Sequence, residues 1–229
     1  MKTLKKCFIA LRSMYRSSRS VHDVAALVQL RPLVSSYIPI SGMAMNPSEI
    51  ARICNDILIN RRQKIVEFGC GASTVYIAKI LPDNAVIYSV DHDSEWLDIV
   101  RGWLQREGVE DRVRFIHAPL RSINLEDHRS EWYDLAVLER SLPENDIDCV
   151  IVDGPPAGSG GIGALARYPA IPVLESKLAE RVSIYLDDAV RNGEQTIAKK
   201  WSERLGIHFE LRLNTGGYAI GVRGQAFMD

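Results

Sequence analysis

From residue 46 onward, short apolar runs alternate with longer stretches of helical period. Strand-like runs fall at 64–68, 86–90, 113–117, 148–152 and 182–186, and helical patterns near 73–81, 94–107, 131–141, 169–180 and 190–205. A further helix is expected to open at Asn46-Pro47-Ser48-Glu49 and run to about Asn60. Asn46 is placed to cap it, Pro47 suits its first turn, and Glu49 sits at the capping-box position. Gly108 and Gly206 stand where two later helices should end. Alternation of this kind predicts a parallel sheet covered by helices on both faces. The last two runs, His208 to Leu213 and Tyr218 to Val222, flank Asn214-Thr215-Gly216-Gly217 and read as a hairpin. One of its strands must run antiparallel to the rest.

The first 45 residues are different in kind. They hold seven Lys/Arg and one acid, a net of +6, which leaves −7 for the remaining residues of a chain at −1. Leu4, Cys7, Phe8, Leu11 and Tyr15 recur at helical spacing, with Lys5, Arg12, Arg16 and Arg19 on another face, so residues 4–16 are expected to form a basic amphipathic helix. Such a helix can pack on its own domain, on a second subunit of a homodimer, or on a membrane surface. The stretch from Arg31 to Met45 reads as a loop crossing the top of the domain. The expected organisation is therefore an N-terminal helical extension and loop over 1–45 and a single α/β domain over 46–229.

Overall charge is nearly balanced, which speaks against a nucleic-acid partner. Cys7, Cys54, Cys70 and Cys149 are far apart with no Cys-x-x-Cys, and the five histidines show no ligand spacing, so structural zinc is not expected and a reducing cytoplasm is. No run approaches the ~20 apolar residues of a membrane span. Cys7 to Leu11 is too short for a signal-peptide core.

The chemistry concentrates at Glu67-Phe68-Gly69-Cys70-Gly71-Ala72-Ser73-Thr74, with Asp91 twenty residues beyond Gly71. An apolar strand ends in an acid, a glycine turn follows, a helix begins, and the next strand delivers a carboxylate. That order builds a nucleoside crevice: glycines let a ligand approach the backbone and the acid accepts from ribose hydroxyls. The set resembles a class I S-adenosylmethionine-dependent methyltransferase. Glu67 to Gly71 is similar to the family's first motif, Asp91 matches its ribose acid, and His117-Ala118-Pro119-Leu120 lies where the family contacts adenine. Val150-Ile151-Val152-Asp153-Gly154-Pro155-Pro156 resembles its fourth-strand motif. The resemblance covers residues 46–229. It implies a seven-stranded, mostly parallel, Rossmann-like sheet in the order 3-2-1-4-5-7-6, with a C-terminal antiparallel hairpin. It also implies S-adenosylmethionine as cofactor, held by Glu67, Gly69, Gly71, Ser73, Thr74, Asp91, His92, Ala118, Pro119 and Asp153.

NAD is the competing cofactor. A dinucleotide fingerprint wants a third glycine where Thr74 stands, and an acid before the turn would repel pyrophosphate. An NAD-dependent oxidoreductase and a non-catalytic nucleoside-binding protein of the same fold are the alternatives carried. Gly158-Ser159-Gly160-Gly161-Ile162-Gly163 is a literal G-x-G-x-x-G, but Pro155-Pro156 prevents a tight strand–turn–helix before it. It reads as a flexible lid on the acceptor side.

The carboxyl edge of the predicted sheet also carries Asp153, Asp187 and Asp188. This arrangement is similar to the catechol O-methyltransferase-like branch, in which an Asp and an Asp-Asn pair hold a divalent cation. The resemblance implies a metal site, with Mg²⁺ as the ion, at Asp153, Asp187 and Asp188. Without metal, a hydroxyl acceptor needs a base: Asp153 first, then His92, with Asp187 nearby. His117 reads as a strand-end residue near adenine, and Arg167 and Tyr168 as groups that can orient an acceptor. Nucleic-acid amino methyltransferases carry D/N-P-P-Y/F at the fourth strand. Here Gly154 separates Asp153 from Pro155 and Ala157 replaces the aromatic, so that branch fits poorly. The expected activity is methyl transfer to a small-molecule acceptor, at oxygen.

Overall fold

The structure is a computed structural model that describes residues 21–40, 42–125, 128–157, 161–224 and 226–227. The helix expected over 4–16 lies outside the described residues, as do residues 158–160 of the glycine-rich lid. The described chain begins with a helix over 21–30 (α1) and continues through α2 (Pro47–Asn60), β1 (Lys64–Phe68), α3 (Ala72–Ile80), β2 (Val86–Asp91) and α4 (Ser94–Glu107). Then come β3 (Val113–His117), the hairpin β4 (Leu120–Leu125) and β5 (His128–Tyr133), α5 (Leu135–Ser141) and β6 (Ile147–Val152). The chain closes with α6 (Ala170–Leu174), β7 (Leu178–Leu186), α7 (Asn192–Leu205), β8 (Phe209–Arg212) and β9 (Tyr218–Arg223). No described helix is long and apolar enough to cross a membrane.

Seven strands form one sheet in the order β3-β2-β1-β6-β7-β9-β8, which is 3-2-1-4-5-7-6 once the β4–β5 hairpin is set aside. The first five are parallel; β9 runs antiparallel to β7 and to β8. Strands buried on both faces read as near-continuous apolar runs, and side chains alternate between two cores. Ile65, Ile87, Cys149, Ile151 and Tyr185 enter the core beneath α2, α3 and α4. Val66, Phe68, Val90, Val150, Val152 and Ile184 enter the core shared with α5, α6 and α7. Gly108 and Gly206 end α4 and α7 with left-handed φ of 68° and 66°. Residues without Cβ adopt that conformation at little cost.

Two expected helices are corrected. The pattern over 131–141 belongs to two elements, because Ser130 and Trp132 turn inward while Arg129 and Glu131 face solvent, a strand's period of two. Only from Leu135 does the chain coil, capped by Asp134 Oδ1 accepting from the Ala136 and Val137 N–H groups at 3.0 and 3.3 Å. The helix expected over 169–180 stops at Leu174, passes through a 3₁₀ turn over Glu175–Lys177 and yields to β7 at Leu178. β7 is long because it pairs with β6 on one side and with β9 on the other.

The segment before α2 is part of the same core. Ala26, Leu30, Val34 and Ile38 are buried in it. Its path is pinned by Glu107 at the end of α4, which accepts from the Ser35 and Ser36 backbone N–H groups at 2.9 and 2.7 Å and from both hydroxyls. Burial raises this carboxyl, but the four serine donors outweigh it and hold the pKa at about 2. Beneath α2, Arg62 and Asp56 form a buried ion pair at 3.1 Å, completed by Tyr185 Oη donating to Asp56 and by Arg62 donating to Ser183.

Candidate active site

The carboxyl ends of β1, β2, β6 and β7 open into one cavity of about 720 Å³. Its floor is the β1–α3 turn. Gly69 takes φ 90°, and a Cβ there would stand 2.9 Å from the Gly154 nitrogen, so this turn and the end of β6 can touch only through glycine. A Cβ on Gly71 would meet nothing within 4 Å; that face of the loop is open. Ser73 follows on the cavity wall. The Trp96 indole N–H donates to the Cys70 carbonyl at 2.8 Å and its ring stands edge-on to Trp103, which fixes the turn from the α4 side.

Asp91 lines the cavity at the end of β2. Its Oδ2 accepts from the Cys70 N–H at 3.1 Å and its Oδ1 from the Asp93 N–H at 3.0 Å. His92 Nδ1 lies 3.1 Å from Asp91 Oδ1, and His92 is also on the wall. His117 bridges to the His92 carbonyl at 3.1 Å as a strand-end residue.

Several expected ligand contacts are placed elsewhere. Glu67 is fully buried behind the turn, and its oxygens accept from the Ser73, Thr74 and Ser89 hydroxyls at 2.6–2.7 Å. Burial raises its pKa to about 6, against the lowering by those three donors. Thr74 is equally buried; its Oγ1 also accepts from the Gly71 N–H at 2.9 Å. These two residues brace the loop and do not line the cavity. Ala118 and Pro119 do not line it either; Ala118 is fully buried and its N–H donates to the Asp91 carbonyl at 2.9 Å. Glu49 and Asn46 make no side-chain cap on α2. Asn46 Nδ2 donates instead to the Gly216 carbonyl at 2.6 Å.

On the acceptor side, Asp153, Asp187 and Asp188 all line the cavity, and one oxygen from each lies within 4.8 Å of the others. Arg167 reaches into this cluster from beyond the glycine-rich loop. Its Nη2 lies 3.1 Å from Asp153 Oδ1 and 3.2 Å from Asp188 Oδ2, and its Nη1 donates to the Asp187 carbonyl at 3.1 Å. Arg191 Nη1 meets the same Asp188 oxygen at 2.8 Å. Burial raises the Asp153 and Asp188 carboxyls, Asp187 raises them further, and Arg167 opposes. Glu49, fully buried in the first turn of α2, is pushed up by burial and then by Asp187. Divalent-cation bonds to carboxylate are ~2.0–2.6 Å, and here Asp153 and Asp188 each turn one oxygen to a guanidinium. Arg167 thus stands beside two members of the expected metal set of Asp153, Asp187 and Asp188. Tyr168 packs away from the cavity, against the His128 ring.

A family model described as a methyltransferase domain matches residues 66–189. The chain belongs to this methyltransferase family. The match runs from β1 to just beyond Asp188 and takes in the whole edge described above. Comparison with curated protein sequences returned no match. Among solved structures, the methyltransferase is similar to an O-methyltransferase from Bacillus cereus in complex with SAH (16% identity, TM-score 0.55, 93% of this chain and 91% of that one). An SAH-bound methyltransferase from Podospora anserina superposes with TM-score 0.60 at 15% identity, over 89% and 88% of the two chains. An O-methyltransferase from Streptomyces achromogenes involved in tomaymycin synthesis, in complex with SAM, gives 0.54 at 13%, over 89% and 90%. These likenesses establish a shared fold.

Two residues lining this methyltransferase's cavity, and one buried neighbour of Asp187, carry no functional signal in its sequence. Trp96 is one apolar position among many in α4. Glu49 looks like a helix cap. Tyr133 falls in a stretch of helical period, yet its ring is fully buried on Phe68 and its hydroxyl, on the cavity wall, has no hydrogen-bond partner among the described residues. Buried polar groups are nearly always partnered, so a fully buried free hydroxyl facing a cavity marks a place for a ligand atom.

Proposed function

We infer that the protein transfers a methyl group from S-adenosylmethionine to an oxygen of a small-molecule acceptor. The observation that carries this is a single cavity in which Gly69, Gly71, Ser73 and Asp91 face Asp153, Arg167 and Asp187. One half has the open glycine backbone and the acid that suit a nucleoside. The other has the carboxylates and the guanidinium that suit a hydroxyl acceptor. Bound there, S-adenosylmethionine supplies a methyl already activated on a sulfonium. The protein's share is alignment, a dry and complementary field, and a proton acceptor.

Each part has a residue. Asp91, held by the Cys70 and Asp93 N–H groups, presents its remaining lone pairs to ribose hydroxyls. Gly71 leaves room for the cofactor's backbone-hugging atoms. The wall carries Asp91, Asp93, Asp153, Asp187 and Asp188 against His92, Arg167 and Arg191, an acidic balance that suits a cationic donor. Asp153 takes the acceptor's proton; burial and the neighbouring Asp187 raise its affinity for one. His92, oriented by Asp91, is the second base. Free, buried Cys54, Cys70 and Cys149 suit a reducing cytoplasm.

Calorimetric titration with S-adenosylhomocysteine and with NAD, followed by transfer of labelled methyl to a panel of hydroxylated small molecules, tests the reading. Binding of S-adenosylhomocysteine alone and label on an oxygen are expected. Binding of NAD, or label on nitrogen, overturns it.

A further inference from the structure

Arg167 is 3% exposed, and a guanidinium stays charged at every physiological pH. A buried charge persists only where it is paired. All of its pairing comes from the acceptor end of the cavity. The Nε group faces the Pro155 carbonyl at 3.5 Å, Nη1 donates to the Asp187 carbonyl at 3.1 Å, and Nη2 stands between Asp153 Oδ1 and Asp188 Oδ2 at 3.1 and 3.2 Å. Two of the three carboxylates that a divalent cation would need are thus already joined by one nitrogen. An ion placed between them would sit against a like charge that cannot be neutralised.

We propose that Arg167 is this enzyme's acceptor-side cation, a guanidinium standing where a divalent metal would stand, and that methyl transfer proceeds without metal. The proposal rests on the reading of the cavity as a methyl-transfer site. It also narrows the acceptor. A hydrated metal offers two or more open positions and can chelate a vicinal diol. A guanidinium has five N–H groups, and four of these are engaged as described, which leaves one, on Nη1. The acceptor that fits is therefore one presented through a single oxygen, a phenol, an isolated hydroxyl or one carboxylate oxygen. The transferred methyl forms its bond to that oxygen as the carbon–sulfur bond breaks; the proton of a phenol or hydroxyl passes to Asp153, and a carboxylate oxygen has none to lose.

The test uses the full chain with S-adenosylhomocysteine bound, titrated with MnCl₂ and followed by the Mn²⁺ electron paramagnetic resonance signal and by thermal melting. Wild type should leave the signal unquenched at micromolar protein, with Tm unchanged. The Arg167→Gln variant frees Asp153, leaves Asp188 paired with Arg191 alone, and should bind one Mn²⁺ at least about tenfold more tightly than wild type, with a rise in Tm. Stoichiometric micromolar Mn²⁺ binding by wild type overturns the proposal, and so does a folded Arg167→Gln protein that gains none. If that variant does not fold, Arg167→Lys, which keeps a charge but not the fork, serves in its place. It should bind Mn²⁺ no better than wild type while losing at least about tenfold in methyl transfer to a monohydroxyl acceptor. Unimpaired transfer by Arg167→Lys counts against the proposal. Failure of the underlying methyl-transfer reading is distinguishable, because it would show as no binding of S-adenosylhomocysteine to wild type whatever the Mn²⁺ result.

Discussion

A Cβ placed on Gly154 would stand 2.3 Å from the Tyr133 hydroxyl, so the end of β6 and the end of the β4–β5 hairpin meet in a contact that only glycine permits. The same hydroxyl is fully buried, without a hydrogen-bond partner among the described residues, and on the cavity wall. Tyr133→Phe removes a group that makes no hydrogen bond among the described residues, so thermal stability should stay level or rise slightly. Affinity for S-adenosylhomocysteine should fall by about 1 kcal/mol, roughly fivefold, if that hydroxyl meets the cofactor. Calorimetry and differential scanning on the pair of proteins check this. A loss of stability with unchanged affinity would show that the hydroxyl serves the fold alone.

Asp91→Ala should weaken S-adenosylhomocysteine binding by roughly 1–3 kcal/mol. Part of the loss comes from releasing the Cys70 N–H, which Asp91 Oδ2 holds at 3.1 Å. Asp91→Asn keeps an oxygen for that bond and should recover part of it. Equal affinity in wild type and Asp91→Ala argues against a ribose role for this residue.

Glu67 links stability to pH. Its folded pKa is about 6, above the usual 4.5, with burial as the main cause. The folded state therefore binds more protons than the unfolded state between these values, and stability falls as pH rises through that window. The contribution is full below about pH 4.5 and gone above about pH 6; its size is about 2 kcal/mol. Urea unfolding from pH 4.5 to 7 should show this slope in wild type and lose it in Glu67→Gln. The variant still accepts from hydroxyls through its amide oxygen. An identical slope in both proteins assigns the linkage to another group.

Asp56→Ala should cost about 3–5 kcal/mol, because it strands the buried Arg62 guanidinium without its carboxylate. The pair ties α2 to β7 well away from the cavity lining, so S-adenosylhomocysteine affinity of the folded protein should not change. Chemical denaturation and calorimetry separate the two effects. A stability loss under about 1 kcal/mol would mean that water reaches Arg62.

Much of the fold was legible because its signals are local. Apolar runs marked the seven strands of the main sheet, and Gly108 and Gly206 marked two helix ends where only a left-handed backbone closes the turn. The β4–β5 hairpin was not legible. Trp132, Tyr133, Leu135 and Leu138 satisfy a helical period as well as they satisfy a strand followed by a capped helix. The choice is made by pairing with residues 120–125, which no local window contains.

The site divides in the same way. By itself the sequence determined the glycine turn, Asp91, Asp153 and the Asp187-Asp188 pair, since motif spacing on a parallel sheet brings strand ends to one edge. Tertiary structure alone decided what those groups face. It closed Glu67 behind three hydroxyls, turned Glu49 from a cap into a buried neighbour of Asp187, and drew Arg167 between Asp153 and Asp188. The reason is physical. A residue's type and spacing say which charges can exist, but whether a carboxylate meets a hydroxyl, a guanidinium or a ligand depends on the path of chain segments distant in sequence.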